Sequence, residues 1–139
     1  MKPSIITIAI SIFLASHCGY VSATDSPDER QKRHVVSRLY EITESMVQQC
    51  SHAPSSVANK YKLEVSRFVE ANPKLMTLVK QSPHYEYAQK NYAYERRNDP
   101  HTVEMLVSVC GYFSDAIGAM IDTPQGKSEV DKLEKILSQ

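Results

Sequence analysis

Residues 100–121 read PHTVEMLVSVCGYFSDAIGAMI and carry the strongest apolar pattern in this chain of 139 residues. The apolar side chains recur at steps of three and four, at Val103, Leu106, Val107, Cys110, Phe113, Ile117 and Met120. This spacing predicts a helix that buries one face, from about residue 100 to 121. Gly111 and Gly118 lie inside it, where each costs roughly 1 kcal/mol relative to alanine. Two such penalties predict a close helix crossing at these glycines.

Further segments show the same spacing and are separated by prolines. They lie roughly at 27–50, from Val57 to Asn72, around Leu75–Val79 and over Val130–Leu137. Five of the seven prolines directly follow a residue that can cap a helix: Ser26, Asn72, Ser82, Asp99 and Thr123. Proline fits the first helical position, because its missing N–H needs no partner there. No segment alternates apolar and polar residues long enough to predict a strand. We therefore predict an all-α fold, a compact bundle of five or six helices.

The first 23 residues have the pattern of a secretory signal peptide. Lys2 supplies a positive start, Ile5–Ala15 is an apolar run of 11 residues, and the stretch ending at Ala23 has small residues suited to cleavage. The run is too short to span a bilayer. Cleavage after Ala23 would leave one helical domain, residues 24–139, which is long enough to bury a core. A lipoprotein anchored through Cys18 is the alternative, although His17 is not the small residue that such signals prefer.

Two cysteines, Cys50 and Cys110, remain in the predicted mature chain. An even number of cysteines in an oxidising compartment predicts a disulfide, and two buried free thiols are the alternative. Cys50 would close the first long helix, and Cys110 lies on the apolar face of the most hydrophobic one. The bridge would therefore join two helices, and closing so long a loop would stabilise the fold by about 4 kcal/mol.

The charge of the chain is balanced, with 16 basic and 16 acidic residues. Loss of Lys2 with the signal peptide would leave a net charge of −1. A balance of this kind gives no electrostatic basis for binding nucleic acid or an anionic membrane. Apart from the leader, no apolar stretch is expected to be long enough to cross a membrane. We predict no nucleic-acid partner and no membrane span.

The sequence contains none of the motifs that usually carry catalysis. It has no G-x-S-x-G turn, no H-E-x-x-H helix, no phosphate-binding glycine loop and no C-x-x-C pair. The histidines of the predicted mature chain stand alone rather than at metal-ligand spacing: His34, His52, His84 and His101. We therefore predict no catalytic residue, no metal ligand and no cofactor, and we expect that the protein is not an enzyme.

Residues 82–100, SPHYEYAQKNYAYERRNDP, contain half of the eight tyrosines: Tyr85, Tyr87, Tyr92 and Tyr94. On a single helix over 83–98, Tyr85 and Tyr92 would form one row, and Tyr87 and Tyr94 a second row nearly opposite. Two opposite rows cannot both face one core. We expect the first row to pack and the second to be exposed. The alternative is that both rows lie at the margin of the core with their hydroxyls in water.

The exposed row would suit a protein partner. Tyrosine and arginine are enriched among the residues that dominate binding energy at interfaces. We therefore predict a partner-binding surface of Tyr87, Tyr94, Lys90 and Arg97. A polar strip of His84, Asn91 and Glu95 would fill another face of the same helix, and it would be the site if the protein were instead a small-ligand carrier or an enzyme.

Cys110-Gly111-Tyr112, followed by Gly118, resembles a stretch of small periplasmic immunity proteins. These proteins neutralise toxins delivered by bacterial type VI secretion, in particular cell-wall amidases. The predicted signal peptide, size, helical character and cysteine pair are also similar. The chain departs from the pattern because Cys110 and Gly111 are adjacent and because Asp115 stands where a glycine is expected. The resemblance implies inhibition by binding, without catalysis.

The leading interpretation is an exported, periplasmic, non-enzymatic helical protein that binds another protein. A toxin or an envelope enzyme is the partner that the resemblance implies, and an immunity or inhibitor role is its sharpest form. An envelope stress chaperone that exposes apolar surface is one alternative. The small-ligand carrier or enzyme built on the polar strip is the other.

Overall fold

The computed structural model describes residues 26–96 and 101–139. The predicted signal peptide, Cys18 and Arg97 lie outside these residues. In the described part, every regular element is helical, and the elements form six helices when the continuous run at 27–50 is counted once. The prediction of an all-α helical bundle is confirmed. The chain divides after Arg30 into two units. In the described part of the first, the Ser26 hydroxyl accepts a hydrogen bond from the Glu29 N–H and caps a helix start.

The first helix is continuous but changes its period. It runs through three segments, α1 (Pro27–Tyr40), a π-helical segment (Glu41–Ser45) and α2 (Met46–Cys50). The residues at both junctions keep right-handed helical dihedral angles, so the chain does not bend away there. The Met46 N–H donates to the carbonyl of Glu41, five residues earlier, which is the spacing of a π-helix. The helix predicted over 27–50 is therefore present, with a wider turn in its middle.

Five more helices and one short turn complete the described chain. They are α3 (Ser55–Ala71), α4 (Pro73–Gln81), α5 (Tyr85–Tyr92), a 3-10 turn (Tyr94–Arg96), α6 (Val103–Asp122) and α7 (Pro124–Leu137). The Thr102 and Thr123 hydroxyls cap α6 and α7 by accepting from the N–H groups three residues later. The predicted start at Thr123-Pro124 is confirmed.

The predicted start at Asn72-Pro73 is confirmed, since α4 begins at Pro73, but the Asn72 side chain donates to the carbonyl of Phe68 and closes α3 instead of capping α4. Two other starts differ from the prediction or lie outside the described residues. The Ser82 hydroxyl accepts from the His84 N–H in a turn, and α5 begins later than predicted, at Tyr85. Helix α6 begins at Val103 and is capped by Thr102. Asp99-Pro100, the start predicted for that helix, lies outside the described residues.

The core forms where the predicted apolar stripes meet. Its most buried side chains come from the first helix, α3, α4 and α6: Val36, Cys50, Tyr61, Phe68, Leu75, Val79 and Cys110. Helix α5 contributes only Ala88 to the fully buried set. Helix α5 therefore lies at the margin of the core, and its large side chains are available for other contacts.

Helices α3 and α6 run in the same direction. Lys60 pairs with Asp115 at 2.6 Å, and Arg67 pairs with Asp122 at 2.8 Å. Both pairs join residues 55 positions apart, which is what two parallel helices of equal rise give. The predicted disulfide is present, with Cα atoms of Cys50 and Cys110 5.9 Å apart, and joins the end of α2 to α6.

The close helix approach lies at a different glycine from those predicted. A Cβ on Gly111 would have no heavy atom within 4 Å, and one on Gly118 would meet only the Glu64 carboxylate at 3.4 Å. A Cβ on Gly126 would instead overlap the carbonyl oxygen of Ala119 and the Cα of Met120. The expected crossing at Gly111 is wrong, and among these three glycines it is Gly126 whose backbone lies directly against that of another helix.

Candidate functional site

The tyrosine-rich segment does not form the single helix predicted over 83–98. Helix α5 ends at Tyr92, Ala93 has extended backbone dihedrals, and Tyr94 begins the separate 3-10 turn. Because the helical register is lost at Ala93, Tyr87 and Tyr94 do not share a row. They lie in different surroundings, and each has to be considered by itself.

Tyr85 packs into the margin of the core. Its hydroxyl donates to the Glu44 carboxylate at 2.6 Å, and its ring meets that of Tyr40 edge-on with centroids 5.8 Å apart. Burial, followed by the hydrogen bond and the charge of Glu44, raises the pKa of Tyr85. Burial and the charges of Glu44 and Glu95 also raise the pKa of Tyr40. Tyr92 is likewise partly buried against the core. The expectation that the row of Tyr85 and Tyr92 packs therefore agrees with the structure.

Tyr87 is the exposed tyrosine of α5, with 42% of its surface accessible. The guanidinium carbon of Arg33 lies 5.4 Å from the centre of its ring, a cation–π distance, and the ring of Tyr92 is 6.4 Å away. Lys90, one turn further along, pairs with Glu86 at 2.6 Å. Tyr87 is thus an aromatic surface group held by a cation from α1. Arg97, the fourth residue of the predicted surface, is not among the described residues.

Tyr94 lies at an open groove on the other side of the helix break. Its ring stacks on His52, with centroids 5.7 Å apart and planes 23° apart. The groove has a volume of about 740 Å³, and its polar lining includes Gln48, Ser51, His52, Asn59, Lys62 and Glu95. We call it the corner groove, because it lies where α2 turns into α3. It combines an aromatic platform with both hydrogen-bond donors and a carboxylate.

The local sequence explains how the corner groove is built. Pro54 has an extended ψ angle and separates the end of α2 from α3, so the chain turns sharply there. Ser55, Asn59 and Lys62 then follow at steps of four and three and line one wall. They lie on a different side of α3 from the buried Tyr61. The sequence did not predict this wall, because the spacing of polar residues on α3 does not show that Tyr94 and Glu95 come to lie beside them.

The predicted polar strip is not assembled as one surface. His84 precedes α5, and the Asn91 side chain donates to the carbonyl of Tyr87 on the last turn. Glu95 lies beyond the break at Ala93 and lines the corner groove instead. Within the described residues, no group of three or more histidine, cysteine, aspartate or glutamate side chains could hold a metal ion.

Helix α6 presents a second candidate surface. By length and composition alone it is able to cross a membrane, with a mean hydropathy of 1.3 over its most apolar window, so the expectation that no second stretch has that length is wrong. Only 22% of this window is buried. Tyr112 is 70% exposed and Met105 48% exposed on the side away from the core. Asp115 and Asp122 form ion pairs with α3 and so mark the side of α6 that borders α3.

A narrow apolar crevice of about 210 Å³ lies between α1, α3, α6 and α7. Its lining includes Leu39, Ile42, Phe68, Ile117 and Leu133, and Arg38 also contributes to it. The Arg38 guanidinium pairs with Glu41 at 3.0 Å. The crevice could accept a short alkyl group, and nothing in the sequence patterns indicated it.

These features define a class: a disulfide-bonded helical bundle whose described residues carry an open groove with a mixed lining and an exposed apolar helix face. No protein-family model, curated protein or solved structure matches the chain. The similarity to immunity proteins at Cys110–Tyr112 and Gly118 therefore stays a prediction.

Proposed function

We propose that this chain is an exported, periplasmic protein that acts by binding another protein through the corner groove, and that it has no catalytic activity. The observation that carries the proposal is the stacked pair of His52 and Tyr94 at the mouth of an open groove. Export is supported by the leader pattern of residues 1–23 and by the disulfide, since disulfides persist in oxidising compartments.

The shape and lining of the groove favour a protein segment over a small molecule. Small-molecule sites are usually enclosed and mostly apolar, with few polar groups. The corner groove is open, and Gln48, Ser51 and Asn59 give it several neutral hydrogen-bonding side chains. An aromatic ring among neutral polar groups is the composition of many protein-binding surfaces. An extended loop of a partner would fit this surface.

The charges of the groove suggest what such a loop carries. Lys62 and the first turn of α3 at Ser55 lie on one wall, and a helix N-terminus favours negative charge. Glu95 contributes a carboxylate. We infer that the partner segment places an acidic group at Lys62 and a donor or a cation at Glu95. An immunity or inhibitor role is the specific form of this proposal, in which the bound segment belongs to a toxin or an envelope enzyme.

The test is a pull-down from envelope and secreted extracts with three variants. Tyr94→Ser and Lys62→Glu each change the corner groove, and Tyr87→Ser is the matched control because that tyrosine is exposed but contacts Arg33 instead. We expect one dominant protein, lost with the first two variants and kept with the third. Circular dichroism checks that each variant is folded.

Other outcomes overturn the assignment in distinct ways. Loss of the partner only with Tyr87→Ser would move the binding surface to α5. Many weakly held proteins, unaffected by all three variants, would favour the envelope chaperone. No retained protein would favour a small-ligand carrier.

The apolar crevice is the observation that favours the ligand carrier as a second candidate. Its carbon lining would suit a short alkyl chain. Native mass spectrometry of the protein purified without detergent would detect such a molecule. Ile117→Phe, which fills the crevice, should remove it, whereas an unliganded spectrum for the wild-type protein would eliminate this candidate.

A further inference from the structure

The outward side of α6 carries an apolar row with the spacing of a helix–helix seam. Its members follow at alternating steps of four and three residues: Met105, Val109, Tyr112, Ala116 and Ala119. This is the heptad spacing of residues that pack between paired helices. The buried residues of α6 lie on the opposite side: Leu106, Cys110, Ser114 and Ile117. We call the five outward residues the outer row. Met105, Tyr112 and Ala119 are exposed, and Val109 and Ala116 are half-buried.

The outer row has larger side chains before Tyr112 than after it. The row begins with Met105 and Val109, has its largest member at Tyr112, and ends with Ala116 and Ala119. Because Tyr112 is the central residue, a second copy running in the opposite direction would place Met105 against Ala119 and Val109 against Ala116. Large residues facing small ones give dense packing across a helix pair. A parallel copy would place methionine against methionine and alanine against alanine.

The charges beside the outer row are compatible with the antiparallel arrangement. Asp115 borders the row on the side of α3, where Lys60 holds its carboxylate at 2.6 Å. In the antiparallel pair, Asp115 lies level with Ser108 of the second copy, so no like charges face each other near the centre. Leu63 on α3, between Lys60 and Arg67 in the sequence, is a further exposed apolar side chain, with 59% of its surface accessible. The neutral ion pairs form the polar rim that such an interface needs.

We propose that the outer row is a self-association surface, through which two copies of this chain pair antiparallel along α6 about a two-fold axis at Tyr112. The row runs over 15 residues, from Met105 to Ala119, or about 21 Å of helix. Its five side chains are fewer than the roughly 20 to 30 residues that each partner contributes to a standard interface. The dimer is therefore weak and forms in the micromolar range or above. The proposal is independent of the corner groove, which lies at α2 and α3.

Sedimentation velocity of the oxidised protein, over a concentration series from micromolar to millimolar, is the first test. We expect a reversible shift from monomer to dimer. Tyr112→Lys should abolish it, because two positive charges would meet on the axis. Val103→Lys is the matched control, since Val103 is 56% exposed on α6 but outside the outer row. A protein that stays monomeric throughout, or a dimer that tolerates Tyr112→Lys, overturns the proposal.

A size exchange tests which residues pack against each other. Ala119→Met sets methionine against methionine and should weaken the dimer at least tenfold, and Met105→Ala should weaken it by leaving a gap. The double variant Met105→Ala/Ala119→Met again places a large residue against a small one and should restore association; failure to do so overturns the proposed packing.

A charge exchange tests the direction of pairing, because the size exchange would restore a parallel pair as well. Met105→Glu/Ala119→Lys sets opposite charges against each other in an antiparallel pair and should keep association, whereas in a parallel pair each charge would face its own copy. Loss of association with this variant overturns the antiparallel arrangement.

A crosslink tests the position of the axis. Tyr112→Cys places two thiols together on the proposed axis, and mild oxidation should give a covalent dimer. Val109→Cys lies one turn away and faces Ala116, so it should crosslink at least tenfold less. Equal crosslinking at both positions, or crosslinking at Val109→Cys alone, overturns the proposed register. Crosslinking to some other protein in place of a second copy overturns self-association.

Discussion

The Tyr61 hydroxyl donates a hydrogen bond to the main-chain carbonyl of Ile42 across 2.5 Å. Tyr61 is fully buried on α3, and Ile42 lies in the π-helical segment of the first helix. In an α-helix the Met46 N–H would bond to this carbonyl, but here it bonds to that of Glu41. The phenol therefore supplies a donor where the helical period changes, and it fixes α3 to the first helix.

We expect Tyr61→Phe to destabilise the protein by about 1–3 kcal/mol, because it removes the hydroxyl from a buried carbonyl without changing the packing of the ring. Urea denaturation followed by circular dichroism measures the change. Tyr112→Phe is the matched control: its hydroxyl is on an exposed side chain, and the free energy of unfolding should stay within about 0.5 kcal/mol. Equal effects of the two variants would contradict a structural role for the bond.

Two glycine substitutions should have effects of opposite sign. Gly126→Ala forces a Cβ onto the backbone of Met120, and we expect a loss of about 1–3 kcal/mol from the resulting displacement. Gly111→Ala meets open space within a helix, so it should stabilise by up to about 1 kcal/mol. Thermal unfolding of both variants tests the pair. A tolerated alanine at Gly126 would show that α6 and α7 are not held as closely as described.

Removal of the disulfide should cost about 4 kcal/mol, because the loop between Cys50 and Cys110 spans 60 residues and its closure restricts the unfolded chain. The double variant Cys50→Ala/Cys110→Ala, compared with the oxidised wild-type protein in urea, measures this. Wild-type protein in reductant is the control. Its free energy of unfolding should equal that of the variant, apart from the small difference between packing an alanine and packing a thiol. A reduced protein as stable as the oxidised one would contradict the prediction.

Stability should fall at alkaline pH through the tyrosine beside Glu44. The pKa of Tyr85 is raised above its ordinary value of about 10. The folded protein therefore keeps this phenol protonated at a pH where the unfolded chain ionises it. Its contribution is complete below pH about 10 and is lost progressively as the pH rises above that value.

The variant that isolates this effect is Tyr85→Phe. We expect the free energy of unfolding of the wild-type protein to fall more steeply than that of the variant between pH of about 9.5 and 11.5. The variant lacks the ionising group but keeps the ring that contacts Tyr40. Parallel profiles for the two proteins would mean that the phenol is not protected by the fold.

Much of the fold could be predicted from the sequence, because a helix that buries one face has apolar residues every three or four positions. The stripe through Leu106, Cys110 and Ile117 identified α6, and Cys50 at the end of a second stripe identified the disulfide. Helix ends were less predictable. Asn72 and Ser82 can each cap a helix start or make another local bond, and only the surrounding turns decide between these uses.

The candidate sites were less predictable for a physical reason. Tyr87 and Tyr94 differ by seven positions, which is one row only if the helix continues. The break at Ala93 comes from no proline or glycine, so the pattern gave no sign of it. The corner groove depends on how residues distant in sequence, such as His52 and Tyr94, come together. The exposure of Tyr112 could not be predicted either, because periodicity identifies a buried face but not what covers the opposite one.

The π-helical segment also determines which residues later in the helix can meet their partners. Each α-helical residue turns the chain by about 100°. Deleting a single residue between Glu41 and Ser45 would rotate Cys50 by about that angle relative to Val36, which is buried in α1. The Cys50 thiol would then point away from Cys110. One wide turn of helix thus controls whether this chain can be oxidised to its native form.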